Sequence, residues 1–157
     1  MKKREIVVGS RAPDFALPSD GGEIVRLSSL RGRRVVLYFY PKDDTPGCTV
    51  QACDFRDTLP SFAGVQAVVL GVSPDSVESH RRFREKFGLN FPLLSDEDHR
   101  VAEAYGVWKA KNLYGRKSMG IERSTFLIDE EGIVSGVWRK VKPAGHARML
   151  AELLGAA

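Results

Sequence analysis

Cys48 and Cys53 stand five residues apart in the run Pro41-Lys42-Asp43-Asp44-Thr45-Pro46-Gly47-Cys48-Thr49-Val50-Gln51-Ala52-Cys53, and they are the chain's two cysteines. A proline and a glycine directly precede Cys48, and a polar, helix-compatible stretch follows it. That order predicts a thiol in the first turn of a helix. Unpaired backbone N–H groups and the positive end of the helix dipole stabilise a nucleophilic thiolate there. The second thiol is near enough in sequence to capture whatever the first becomes. Types and spacing together point to thiol redox chemistry.

A reactive thiolate needs positive neighbours and an open approach. Residues 43–47 are polar and turn-forming, so they belong at the surface, after a core strand, where open α/β sheets bind ligands. Arg123 precedes the apolar run Ser124-Thr125-Phe126-Leu127-Ile128 and is placed to point to the same sheet end. On composition alone it could equally form a surface salt bridge. Thr45 offers a hydroxyl to a bound oxygen species, or to its own turn backbone. Pro41 directly follows a strand and could serve only to end it.

The elements that must position these residues follow from pattern. Residues 15–17 and 23–27 flank Asp20-Gly21-Gly22 and predict a short hairpin. Residues 34–40 are continuously apolar and end at Pro41, which suits a strand buried on both faces. A helical pattern covers residues 50–59, and a second buried strand covers 66–73. The next helix spans 76–87 and closes at Gly88, and a shorter one spans 99–105 and ends at Gly106. Strands at 123–129 and 133–138 flank Glu130-Glu131-Gly132, and a last helix covers 144–154. The order predicts an α/β fold: a mixed central sheet with helices on both faces and an N-terminal β-hairpin. With no internal repeat or linker, residues 1–157 read as one domain.

Composition narrows the function classes. Hydrophobic residues at 43% and charged residues at 28% fit an ordinary globular chain. The pI of about 9.2 raises nucleic-acid binding. A net charge of +4, with acidic residues interleaved among the basic ones, fits a solvated surface better. Met1-Lys2-Lys3-Arg4-Glu5 resembles the start of a signal peptide, but the apolar stretch such a signal requires does not follow. No run reaches the ~18 apolar residues of a membrane span. The expectation is a cytoplasmic protein with neither nucleic-acid nor membrane partners. Two cysteines in such a compartment argue for redox or metal chemistry over a structural disulfide.

The motif is similar to one known family. Pro41…Thr45-Pro46-Gly47-Cys48-Thr49…Ala52-Cys53-Asp54-Phe55-Arg56-Asp57 resembles the active-site segment of peroxiredoxins, within them the peroxiredoxin Q (bacterioferritin comigratory protein) group of atypical two-cysteine type. The resemblance extends through Gly9–Phe15, Leu70–Ser76 with Ser79-His80, Phe91–Asp96 and Arg123–Asp129, almost the whole chain. It implies a thioredoxin-like fold and reduction of hydrogen peroxide and organic hydroperoxides with no cofactor and no metal. By position, Cys48 resembles the peroxidatic cysteine and Cys53 the resolving cysteine of members with both thiols in one helix, joined by an intramolecular disulfide. Thr45 and Arg123 resemble the peroxide-activating partners, and Pro41 the shield of the sulfur. A thioredoxin-type dithiol is the implied reductant, and a monomer or weak homodimer the expected state. Gln51 departs from the pattern, standing where many members carry glutamate.

Other chemistries fit less well. The cysteines with His80, His99 or His146 lack finger spacing for a metal, and the histidines read as ordinary surface or helix residues. A disulfide reductase of thioredoxin type wants Cys-x-x-Cys, and no histidine sits in a hydrolase partner motif. Trp108, Tyr114 and Trp138, the aromatics near basic residues, read as core or sheet-edge residues rather than base-stacking platforms.

Overall fold

The computed structural model describes residues 6–155. The charged residues 1–5, likened above to a signal-peptide start, lie outside the described residues. The chain begins with a hairpin of β1 (Ala16–Pro18) and β2 (Ile24–Arg26), followed by a short 3-10 turn, Leu27–Leu30. Then come β3 (Arg34–Phe39), α1 (Pro46–Gly64), β4 (Ala67–Ser73), α2 (Val77–Phe87), β5 (Leu93–Ser95) and α3 (Arg100–Ala104). A second hairpin, β6 (Trp108–Leu113) and β7 (Arg116–Ile121), leads to β8 (Ser124–Ile128), β9 (Val134–Trp138) and α4 (His146–Leu153).

The central sheet has the order β5-β4-β3-β8-β9, with β3 at its centre. β3 runs parallel to β4 and antiparallel to β8, so the sheet is mixed, as the pattern predicted. Alternation along β3 sorts the core into two layers. Val35, Leu37 and Phe39 face one, with the N-terminal hairpin, Ala102 of α3 and Phe126. Val36, Tyr38 and Tyr40 face the other, with Cys48, Phe55 and Phe62 of α1, Phe83 of α2 and Leu150 of α4. Tyr38 pairs across the sheet with Gly71. A Cβ on Gly71 would fall 2.9 Å from the Tyr38 ring, so glycine there lets the ring lie down and stack on Phe55 at 4.5 Å.

Three features differ from the pattern reading. α1 runs past the expected end at residue 59, through Pro60 to Gly64. A proline inside a helix leaves the carbonyl four residues earlier without its donor. Here that carbonyl, Arg56 O, accepts from Asn90 Nδ2 at 3.1 Å, and wholly buried Phe62 anchors the last turn. The β6–β7 hairpin and β5 were not expected. The hairpin turns on Tyr114 and Gly115, both at positive φ, a Tyr-Gly pair without the usual Asn-Gly or Asp-Gly mark. β5 is only three residues long and draws its order from pairing to β4.

Candidate active site

Phe39, the last residue of β3, pairs with Ser124, the first of β8. Because the strands are antiparallel, Arg123 lies at the sheet end where the chain leaves β3 and enters α1. Thr45 is the N-cap residue of α1 and Pro46 occupies its first turn, where a missing N–H costs nothing. The first backbone bond of the helix runs from Thr49 N–H to Thr45 O at 2.8 Å, so the N–H groups of Gly47 and Cys48 precede it. Thr45 does not cap them: its hydroxyl donates instead to Lys42 O at 2.9 Å. That leaves the positive end of α1 free beside the thiol.

Cys48 points inward and is 2% exposed. Arg123 Nη2 donates to Cys48 Sγ at 3.2 Å, and Nη1 donates to Gln51 Oε1 at 2.6 Å. The two acceptors are three residues apart, on one helix face, and the planar guanidinium spans them. A Cβ on Gly47 would lie 3.3 Å from both Arg123 Nη2 and Pro143 Cγ, so glycine lets both pack against the helix start. Gln51 thus keeps an orienting contact to Arg123 while adding no opposing charge. Its Nε2 is buried with no partner among the described residues, as is the Tyr38 hydroxyl. Burial, and after it the neighbouring Cys48, pushes the Tyr38 phenol well above its ordinary range, so Tyr38 stays neutral.

Of the residues expected from sequence, Cys48, Arg123 and Thr45 gather at this helix start, and half-buried Pro41 opens the loop that leads to it. Cys53 lies farther along α1, half-buried, and both thiols are free. Lys111 of β6 was not anticipated. Its side chain lies across Gly120, within reach of the charges on Arg123 and Cys48. Burial and Arg123 lower its ammonium below the ordinary 10.5, against the opposing pull of Cys48 and Glu122.

The AhpC/TSA family pattern matches residues 8–137. The chain belongs to the AhpC/TSA family. Peroxiredoxin Bcp of Bacillus subtilis (strain 168) is 57% identical to it over 141 residues, 90% of either chain. A putative peroxiredoxin bcp of Coxiella burnetii is 55% identical over 150 residues, 96% of this chain and 97% of the other. Among solved structures, Xanthomonas campestris peroxiredoxin Q matches with a TM-score of 0.89 at 46% identity, covering 99% of this chain and 98% of that one. The bacterioferritin comigratory protein of the same organism, studied for alkyl peroxide reduction, matches with a TM-score of 0.88 over 96% of each chain. The peroxiredoxin is accordingly a thiol peroxidase, an oxidoreductase with the thioredoxin-like fold.

In this peroxiredoxin two of the three histidines are helix residues, as one half of the sequence reading had it, but neither lies at the surface. His80 in α2 is wholly buried, and His146 at the start of α4 is 7% exposed. His146 Nε2 meets Thr125 Oγ1 at 2.9 Å, and burial lowers its pKa from 6.5 to about 4. The signal for His80 was its spacing: it stands three residues before Phe83 and seven before Phe87, on the inward stripe of an otherwise polar α2. His99, more exposed, stacks flat on Trp108 at 4.0 Å. Tyr114 is neither core nor sheet edge: it sits in the hairpin turn, 97% exposed. No helix among the described residues is long and apolar enough to cross a membrane.

Proposed function

We propose that Cys48 is the peroxidatic nucleophile, Arg123 and Thr45 its activating partners, Pro41 its shield and Cys53 the resolving thiol. The contact of Arg123 Nη2 with Cys48 Sγ at 3.2 Å, at the open start of α1, carries this reading. The Cys48 thiolate attacks one peroxide oxygen in line. The O–O bond breaks, and the departing oxygen takes the electron pair and a proton to leave as water or an alcohol. Donors fixed where charge builds, the guanidinium and the N–H groups of Gly47 and Cys48, lower that barrier. The Thr45 hydroxyl, donating to Lys42 O, keeps a lone pair with which to accept a hydrogen bond from the hydroperoxide. Hydrogen peroxide and organic hydroperoxides are the substrates.

The product is Cys48 sulfenic acid. The Cys53 thiol displaces its hydroxyl as water to form the Cys48–Cys53 disulfide, and a thioredoxin-type dithiol reduces it by exchange. Both cysteines lie within one continuous helix. Five helical residues set their Cα atoms roughly 8–9 Å apart and about 140° around the axis. A disulfide needs Cα atoms within about 7 Å and converging Cβ vectors. The turn between the thiols therefore unwinds before resolution. One domain in the cytoplasm carries the whole cycle without a cofactor.

The test is to mix reduced protein with hydrogen peroxide and count free thiols. Both thiols should disappear together, within single chains. Peroxide consumed with both thiols left free would sink this reading.

A further inference from the structure

Asp43 lies between Pro41 and Thr45 in the loop that joins β3 to α1, and it is 7% exposed. Its carboxylate accepts from the Tyr40 hydroxyl at 2.5 Å and the Ser79 hydroxyl at 2.8 Å, and it meets His80 Nδ1 at 2.7 Å. Its backbone N–H donates to Asp75 Oδ2 at 2.8 Å, and the Ser73 hydroxyl holds that same oxygen at 2.6 Å. One residue on, Asp44 pairs with Lys86 of α2 at 2.7 Å. The middle of the active-site loop is thus fixed by backbone and side chain to the ends of β3 and β4 and to α2.

The wholly buried ring of His80 is the centre of this network. His80 Nε2 lies 2.9 Å from Leu94 O, a carbonyl that can only accept, so Nε2 carries a hydrogen. Nδ1 faces the Asp43 carboxylate, on which the Tyr40 and Ser79 hydroxyls already spend their protons. Burial, and then the Asp43 charge, holds the Tyr40 phenol well above its ordinary range, so it remains a donor. The Tyr40 hydroxyl also lies 3.4 Å from Nδ1, so ring, phenol and carboxylate pack as one cluster. Nδ1 meets Asp43 Oδ2 at 2.7 Å, so the ring ties the loop carboxylate to the Leu94 carbonyl. A buried carboxylate without such a partner would be strongly disfavoured, and the loop would move to hydrate it.

We propose that His80 is a positioning residue for peroxide reduction, acting through Asp43 to hold Pro41 and Thr45 in register with Cys48. The route is short: Thr45 donates to the carbonyl of Lys42, the residue directly before Asp43. Arg123 reaches Cys48 from β8 and stands outside this network. Releasing the clamp should therefore misplace the peroxide and leave the thiol's own reactivity in place. The proposal rests on Cys48 being the nucleophile.

Two substitutions separate the two ends of the ring. In His80→Asn the amide nitrogen overlays Nδ1 and can still donate to Asp43. In His80→Gln it overlays Nε2 and reaches only Leu94 O. Each is made on Cys53→Ser protein, so that Cys48 alone reacts, and each is read for its second-order rate with hydrogen peroxide and its rate of alkylation by iodoacetamide. His80→Gln should lose ~10-fold to ~10²-fold in the peroxide step, the range expected when reacting groups shift by a fraction of an ångström to an ångström. His80→Asn should keep most of the rate, and both should alkylate near the parent rate. Asp43→Asn, which keeps the backbone bond to Asp75, should match His80→Gln. Equal losses in the two His80 variants, an undiminished rate in His80→Gln or Asp43→Asn, or a parallel fall in alkylation would overturn the clamp. Peroxide consumption by Cys48→Ser protein would instead overturn the nucleophile assignment beneath it.

Discussion

Two turns of the same helix carry the same residue type in opposite settings. In the first turn of α1, Cys48 is buried, contacts Arg123 and sits beside N–H groups that precede the helical ladder. In the following turn, Cys53 is half-buried, and the cation whose charge it meets is half-buried Arg56, which is itself paired with Asp57. Desolvation with a fixed cation suits a thiol that must attack a small neutral oxidant. Partial exposure suits one that must move and pair. The helix supplies both because successive residues rotate about 100° around its axis. Neighbours in sequence can thus face different surroundings.

The contrast breaks most completely at its first member. Cys48→Ser should have no measurable peroxidase activity, since an alcohol is a far weaker nucleophile than a thiolate at neutral pH. A coupled thioredoxin assay would show it, and activity near the parent level would end the distinction between the two thiols. Cys53→Ser should consume about one equivalent of peroxide and then stop, with a sulfenic acid on Cys48 open to further oxidation. Dimedone labelling with mass spectrometry reads that state, and normal turnover would mean that an outside thiol does the resolving.

Arg123→Ala should slow the peroxide step on the order of 10²-fold, by analogy with removal of one oxyanion-hole donor. Arg123→Lys should recover only part of that, because an ammonium cannot span Cys48 and Gln51 as the fork does. Stopped-flow rates under single turnover check both, and an unchanged rate in Arg123→Ala would place the arginine outside the chemistry. Oxidation should also raise amide exchange across residues 49–57 while β3 and β4 stay protected. Equal protection in both redox states, with the disulfide confirmed, would mean that the bond forms without unwinding.

The smallest effect lies away from both thiols. His146 is buried with a pKa lowered to about 4 from 6.5, so the folded state resists the proton that the unfolded chain accepts first. Its contribution to stability is complete above pH 6.5 and is lost as pH falls through about 4. Melting temperatures across that window should decline, and less steeply in His146→Gln. A parallel decline in both proteins would assign the acid sensitivity to other groups.

The part of the fold that is legible in the sequence is local. The apolar run before Pro41 gave β3, and Pro46-Gly47 before Cys48 gave the helix start, because backbone restrictions act over a few residues. The αL cap at Gly88 is a signal of the same kind. Long-range pairing left weaker traces. β5 is three residues that owe their strand to β4, and α1 crosses Pro60 because Asn90, thirty residues on, takes the orphaned carbonyl.

The residues that could do the chemistry were therefore determined by sequence alone: a thiol behind Pro-Gly, a second thiol in the same helix, and an arginine ahead of a buried strand. Tertiary structure decided what surrounds them. Antiparallel pairing of β8 with β3 brings Arg123 to Cys48 across 75 residues of chain. Packing of α2 against the sheet brings His80 to Asp43 across 37. Neither contact has a periodicity or a spacing to betray it, because a hydrogen bond depends on where two side chains end in space and not on their separation along the chain.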